Sequence, residues 1–166
     1  MGSEELERFK HEFPDAYFCS CFFALDFEGK ENQQHFDYYV PSMKKIYSFK
    51  LEDNCARVEQ EMIGEGIPTK VNDNHNFDFN EVQVLIEKRM DLEKIKGKMQ
   101  KMLFSLQNVD GKDYLVGTIF LAGMALLKLH ILLDDMSIPY FEKKTFFDMF
   151  KIIKKGDKVE DVIDKE

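Results

Sequence analysis

The chain has 166 residues, of which 44% are hydrophobic and 33% are charged, and its net charge at pH 7 is −8. A chain of this length can bury a hydrophobic core as one domain or as two closely packed halves. The acidic balance excludes nucleic acid as an expected partner, because the phosphate backbone is bound by an excess of Lys and Arg. The chain does not open on a basic segment followed by an apolar run, and its three cysteines give no disulfide framework, so we expect a cytoplasmic protein.

The first part of the chain predicts a helix followed by an antiparallel meander. Ser3 is a candidate cap for a helix over 3–13, in which Leu6, Phe9 and Phe13 share one stripe. Strands are then predicted at 16–27, 35–40 and 44–52. Residues 53–63 also fit a short helix through Val58, Met62 and Ile63, but we favour an extended segment there.

Three cysteines raise the question of a metal site. Cys19 and Cys21 stand two apart on the first strand and are expected on one face, where Cys55 and a histidine could complete a zinc site. The spacing is not that of a zinc knuckle, and a free cysteine among phenylalanines packs as a small hydrophobe. We therefore predict no metal and no cofactor.

Residues 64–76 are the clearest loop, because Gly, Pro, Asn and Asp cluster there. Asp73 and His75, together with Asp78, could form a metal or acid–base group, although Asp and Asn are also ordinary turn and cap residues. If the protein binds a small molecule, this loop together with His35 and the pair Tyr38-Tyr39 is where we expect the site.

A second helix is predicted from Asp78, which begins a capping-box-like sequence, to about Gly97. Its predicted apolar stripe consists of Val82, Leu85, Ile86, Leu92, Ile95 and Met99. A strand over 101–107 follows, and the Asp110-Gly111 dipeptide predicts a tight hairpin after it.

The nearly uncharged run 113–134 is long enough for a membrane helix but also fits two strands buried on both faces. Lys128 and His130 lie inside it, and Ala122-Gly123 makes a plausible turn at its middle. The hairpin sequence before the run decides for two strands, so we expect no membrane span.

A shift of 81 residues aligns the two parts of the chain. It places Phe23 on Phe104, Leu25 on Leu106, Met43 on Met124, Leu51 on Leu132 and Asp53 on Asp134, and it places turn on turn. We take this as a hypothesis of internal duplication, with similar halves at about 3–63 and 78–141.

The predicted fold is α+β: an antiparallel sheet from two tandem αβββ halves with a closing C-terminal helix over 145–155. Residues 1–156 would form one domain, 136–141 an extended edge, and 157–166 an acidic tail. The outline is similar to the PepSY and cystatin-like folds and to secretion-chaperone-like proteins, but no sequence motif of these is present.

Two function classes remain open, since the chain lacks a phosphate-binding glycine loop, a nucleophile elbow, a zinc-protease motif and a dinucleotide fingerprint. The first is a non-enzymatic soluble binding or scaffold protein that acts through protein contacts. The second is a small-molecule binder, or an enzyme with an unrecognised site, near the 64–76 loop. For the first class we expect a homodimer, because 115–133 is apolar on both strand faces and one set of helices covers only one. Its predicted contacts are Phe120, Leu126, Phe146 and Phe150.

Overall fold

The computed structural model describes residues 4–29, 31–62, 64–148, 150, 151 and 153, which form an eight-stranded antiparallel sheet with helices. In chain order the elements are α1 (Glu4–Glu12), β1 (Tyr17–Asp26), β2 (Gln33–Val40), β3 (Lys45–Lys50), a 3-10 turn (Leu51–Asp53), β4 (Ala56–Gln60), α2 (Phe79–Leu92), β5 (Met99–Val109), β6 (Lys112–Leu121), β7 (Ala125–Leu132) and β8 (Ser137–Thr145). The α+β class and the antiparallel sheet are confirmed. The predicted cap Ser3 and the tail 157–166 lie outside the described residues.

The strands lie in the order β4-β3-β2-β1-β5-β6-β7-β8, so two meanders join through the antiparallel pair β1 and β5. Four strands follow α1 and four follow α2, one more in each case than the αβββ prediction. The additional strands, β4 and β8, are the two sheet edges and fall where extended segments were predicted. Short edge strands that carry charge or proline resist pairing with other chains, and β8 contains Pro139.

The internal duplication remains a hypothesis, and the strand registers bear on it in two ways. Each meander has a bulge in its first strand, at Cys19 between Phe18 and Ser20 and at Gln100 between Met99 and Lys101; these positions are 100 − 19 = 81 apart. The following hairpins do not keep this offset. Phe23 pairs with Gln34 and Phe104 pairs with Gly117, so the partners are 117 − 34 = 83 apart.

The apolar run 113–134 forms most of β6 and β7, joined by a turn, as the sequence predicts. Asp110 and Gly111, which make the preceding hairpin turn, both have positive φ, as a type I′ turn requires. Gly123 has φ 90° in the next turn. Within the described residues, no helix is both long enough and apolar enough to cross a membrane.

Helices α1 and α2 pack on the same face of the sheet, called here the helix face. Phe9 of α1 is fully buried, with its ring 5.0 Å from that of Phe49 and 5.3 Å from that of Tyr47. Val82 and Ile86 of α2 are also fully buried and belong to the same core. Burying a side chain of this size contributes about 1.5–3 kcal/mol, which outweighs the weak intrinsic stability of a short helix.

Helix α2 ends at Leu92, before the end predicted at Gly97, and the hydrogen bonds at its C-terminus explain why. The Ile95 N–H donates to the Met90 carbonyl and the Lys94 N–H to the Asp91 carbonyl, with Lys94 at φ 54°. This is a Schellman ending, which needs a left-handed residue but not necessarily glycine. The prediction that Leu92 and Met99 extend the helical stripe is therefore wrong, because Leu92 is 80% exposed and Met99 begins β5.

The other face of the sheet, called here the second face, carries the alternate side chains of the strands. It includes Phe22, Leu103, Val116, Phe120 and Lys128, and neither α1 nor α2 covers it. After β8 the described residues 146–148, 150, 151 and 153 are helical, which agrees with the predicted C-terminal helix. Thr145 caps this helix, since its hydroxyl and backbone N–H donate to the Asp148 carboxylate and its hydroxyl oxygen accepts from the Asp148 N–H.

Candidate ligand-binding site

A cavity of about 350 Å³ lies on the helix face, between α1 and the beginning of α2. Strands β1, β2 and β5 form its floor, and the segment that leads into α2 forms its rim. The lining residues are Leu6, Phe18, Cys21, Phe23, Gln34, Phe36, Tyr38, Asn72, Asp73, His75, Asn76, Phe77, Phe79 and Leu106. The cavity therefore has an apolar, mostly aromatic body and one polar side.

The aromatic body is held by edge-to-face contacts. The Phe23 ring lies 4.7 Å from that of Phe79 and 6.0 Å from that of Phe77, and the Phe77 and Phe79 rings are 5.4 Å apart. The planes of the Phe36 and Phe23 rings meet at 89°. Such pairs add about 0.5–1.5 kcal/mol each to the burial of their area, so they hold the cavity walls in position.

The polar side belongs to the 64–76 loop, which is anchored to the end of the sheet. Val71 is fully buried and its N–H donates to the Phe18 carbonyl over 2.9 Å. The Asn72 N–H donates to a carboxylate oxygen of Asp113 over 3.0 Å. The Tyr17 hydroxyl donates to the Pro68 carbonyl over 2.6 Å. These bonds fix the position of a segment that has no regular structure of its own.

Asp113 organises the polar side through three hydrogen bonds. Besides Asn72, it accepts from His75 Nε2 over 2.6 Å and from the Asn108 side-chain amide over 2.6 Å. Burial alone would raise the pKa of Asp113, but the bonds from His75, Asn108 and Asn72 outweigh burial and hold its pKa below the ordinary value. Asp113 is therefore a carboxylate and accepts only, so Nε2 carries the proton of the His75 ring in this bond.

Tyr38 and Asp73 are two further polar residues next to the aromatic body. The Tyr38 ring is buried, and burial, followed by the nearby Asp73 charge, raises the pKa of its hydroxyl. The side chain of Asp73 forms neither a hydrogen bond nor an ion pair with any residue that the structure describes. A carboxylate at the rim is thus available to a ligand.

His75, Cys21 and Tyr38 are lining residues whose side chains could take part in acid–base or nucleophilic chemistry. A histidine paired with a carboxylate is an arrangement that suits a general base. However, burial raises the pKa of the Cys21 thiol in the cavity wall, which keeps it protonated and weakly nucleophilic. Tyr38 is the single hydroxyl among the lining side chains, and no hydrogen bond joins it to His75 in the described part of the chain.

The structure brings together three of the five ligand-binding residues predicted from sequence. Tyr38, Asp73 and His75 all line the cavity. His35 and Tyr39 lie on the second face, because they alternate with Tyr38 along β2. There the His35 ring stacks on Phe22 at 5.1 Å, and the Tyr39 ring meets Tyr17 at 5.5 Å.

Cys19 and Cys21 do not share a face, contrary to the prediction. The β-bulge at Cys19 breaks the two-residue alternation of β1. Cys21 belongs to the helix-face core, whereas the Cys19 thiol donates to the Asp37 carbonyl over 3.4 Å. Within the ranges described here, no three His, Cys, Asp or Glu side chains are grouped so that they could hold a metal ion.

The four predicted contact residues lie in different environments. Leu126 is buried, while Phe120 is 38% exposed. Phe146 and Phe150 of the C-terminal helix are more than half exposed. Leu126 therefore has little surface to offer a partner, whereas Phe120, Phe146 and Phe150 have exposed surface; the contact itself stays a prediction.

Sequence reasoning missed the residue that anchors the site. Asp113 opens the apolar run, directly after a hairpin turn, and an acid at the head of a buried strand is a signal that it has a partner. Phe77 and Phe79, which flank the α2 cap Asp78, also line the cavity.

The fold places this chain with α+β proteins built on one antiparallel sheet, and comparison with solved structures agrees. The chain is similar to the crystal structure of a protein described as a "putative lipoprotein" from Clostridium difficile 630, with a TM-score of 0.57. The match covers 85% of this chain and 91% of that chain at 12% sequence identity, so the likeness concerns the fold alone. No protein-family model matches the sequence, and no curated protein matches it.

Proposed function

We propose that this protein is a non-catalytic binding protein that takes a small, largely apolar molecule into the cavity between α1 and α2. One observation carries the proposal: the cavity combines an aromatic body with a polar rim fixed by the His75–Asp113 pair. Its volume of about 350 Å³ lies within the range of sites that hold small organic ligands.

The absence of a nucleophile next to His75, in the described part of the chain, favours binding over catalysis. The pKa of the Cys21 thiol is raised by burial, and the lining includes no serine or threonine. The 64–76 loop fits the role of a binding loop, since rigid scaffolds commonly present ligand contacts on loops of this kind.

A second candidate function is protein–protein contact, which the exposed aromatic residues favour. Phe147 is 80% exposed, and Phe146 and Phe150 accompany it on the C-terminal helix. We keep the homodimer and the cytoplasmic location as proposals. The neighbour from Clostridium difficile is described as a lipoprotein, and we do not carry that description over to this chain.

A fluorescence titration with the neutral dye N-phenylnaphthylamine tests the binding site. The dye brightens when it leaves water, so saturable enhancement is expected with the wild-type protein. Leu106→Phe enlarges a buried cavity-lining side chain and should weaken binding by about tenfold or more.

Leu92→Phe is the matched control, because the same substitution falls on a side chain that is 80% exposed and outside the cavity. It should leave the titration unchanged. Equal binding by both variants and the wild type would place the dye elsewhere on the protein and would defeat the proposal, provided that circular dichroism shows both variants folded.

A further inference from the structure

We propose that the ligand of this cavity is an organic cation, an ammonium-type group attached to an apolar body. This inference rests on the proposed function and adds the chemical class of the ligand. It is drawn from the aromatic walls, from the charges that face the cavity and from the unpartnered carboxylate at its rim.

Six aromatic side chains line the cavity: Phe18, Phe23, Phe36, Tyr38, Phe77 and Phe79. The faces of aromatic rings carry partial negative charge and attract cations, most strongly where water is excluded. The protein already uses this interaction beside the cavity, where Lys10 Nζ lies 5.8 Å from the centre of the Tyr38 ring. An aromatic enclosure of this kind suits a weakly hydrated ammonium group better than a neutral polar group.

The fixed charge among the side chains that line the cavity is negative. Asp73 is the acidic residue among the lining side chains, and the lining includes no Lys or Arg. His75 also faces the cavity, but its Nε2 is held by the Asp113 carboxylate, which balances any charge that the ring carries. An anionic ligand would therefore meet Asp73 without a dedicated cation to pair with.

Asp73 is placed to pair with a ligand. It also lines a neighbouring cavity with Lys10 and Lys70, yet neither lysine forms an ion pair with it in the residues that the structure covers. Its charge acts on the cavity, since it contributes to the raised pKa of the Tyr38 hydroxyl. Asp73 is exposed to solvent at the rim, and a ligand cation between it and the aromatic rings would pair with this carboxylate and be attracted by the ring faces at the same time.

Displacement of N-phenylnaphthylamine by two probes of the same shape tests the inference. Benzyltrimethylammonium carries a permanent charge, and neopentylbenzene replaces its nitrogen with carbon. The cation should displace the dye at about tenfold lower concentration than the neutral probe, a difference of about 1.4 kcal/mol. Asp73→Asn should remove most of this preference, and the readout is the ratio of the concentrations at which the two probes displace the dye, measured within the same variant.

Asp91→Asn is the control, because it makes the same charge change on an exposed residue in the last turn of α2, outside the cavity lining. The cation preference should survive it. If the neutral probe displaces the dye from the wild-type protein as well as the cation does, or if Asp73→Asn and Asp91→Asn behave alike, the cation assignment is overturned while the binding site stands. If the dye does not bind in the cavity at all, the proposed function fails first, and this inference fails with it.

Discussion

The Asp113 network allows a quantitative prediction, because one buried carboxylate ties the loop of the site to the β5–β6 hairpin. The substitution Asp113→Asn removes its charge and preserves its shape. Hydrogen bonds to a charged group contribute about 1.5–3 kcal/mol and neutral ones about half as much, so each of the three bonds loses about 1 kcal/mol. Asn108 can turn its amide to accept from the new asparagine, which recovers part of the sum. We expect the free energy of unfolding to fall by about 2–3 kcal/mol.

Urea denaturation at neutral pH measures this loss, and a melting temperature lower by about 4–12 °C should accompany it. Asp110→Asn is the control, since it makes the same change three residues away in the hairpin turn. Asparagine tolerates the φ of 51° found there, so its effect should stay within about 0.5 kcal/mol.

The pH dependence gives the stricter test. The pKa of Asp113 is lower in the folded chain than in the unfolded one. Its carboxylate therefore contributes fully to the free energy of unfolding above the ordinary carboxyl pKa of about 4, and this contribution is lost as the pH falls through the pKa of the folded chain. The stability difference between the wild type and Asp113→Asn should therefore shrink below about pH 4. A difference that stays constant down to the acid transition, or one below about 0.5 kcal/mol at neutral pH, would refute the role given to this carboxylate.

Three further predictions concern the rest of the fold. A Cβ at Gly117 would lie 2.4 Å from the ring of its buried cross-strand partner Phe104, so Gly117→Ala should lower the free energy of unfolding by about 1–3 kcal/mol. Gly66 has open space around it, so Gly66→Ala should be close to neutral. Equal effects of the two substitutions would contradict the packing around Gly117. Thiol titration of the folded protein should find one rapidly reacting cysteine, the half-buried Cys55, because the other two are buried with raised pKa values; three equal rates would mean that the β1 core opens readily. Sedimentation equilibrium should give about twice the chain mass of 19.6 kDa, and Phe120→Lys should return a monomer; a wild-type monomer at every concentration would end the dimer proposal.

Much of the architecture follows from the sequence because local signals agree with one another. The Asp110-Gly111 hairpin and the turn at Gly123 divide the run 113–134 into two strands, and Asp78 caps α2, where its carboxylate accepts from the Asn80 N–H. The end of α2 was misplaced because Lys94 takes the left-handed conformation that glycine usually takes, and this choice comes from the tertiary fold.

The site was predictable only in part, for physical reasons. The loop and Tyr38 carry compositional signals, whereas the face on which a strand residue lies depends on bulges and register that local sequence does not determine. The bulge at Cys19 is such a case. His35 and Tyr39 were lost for a simpler reason, since the two-residue alternation of β2 places them on the opposite face from Tyr38. Asp113 lies 38 residues from His75, and a contact of that separation leaves no pattern in a single sequence.

The most direct test of the central claim is methyl NMR of the leucine-labelled protein during titration with N-phenylnaphthylamine. The ligand site should lie on the helix face, so the methyl signals of Leu6 and Leu106 should shift with saturation. Leu103 and Leu126, whose side chains lie outside the helix-face core, should remain unchanged. Shifts at Leu103 and Leu126 with none at Leu6 and Leu106 would place binding on the second face and contradict the account.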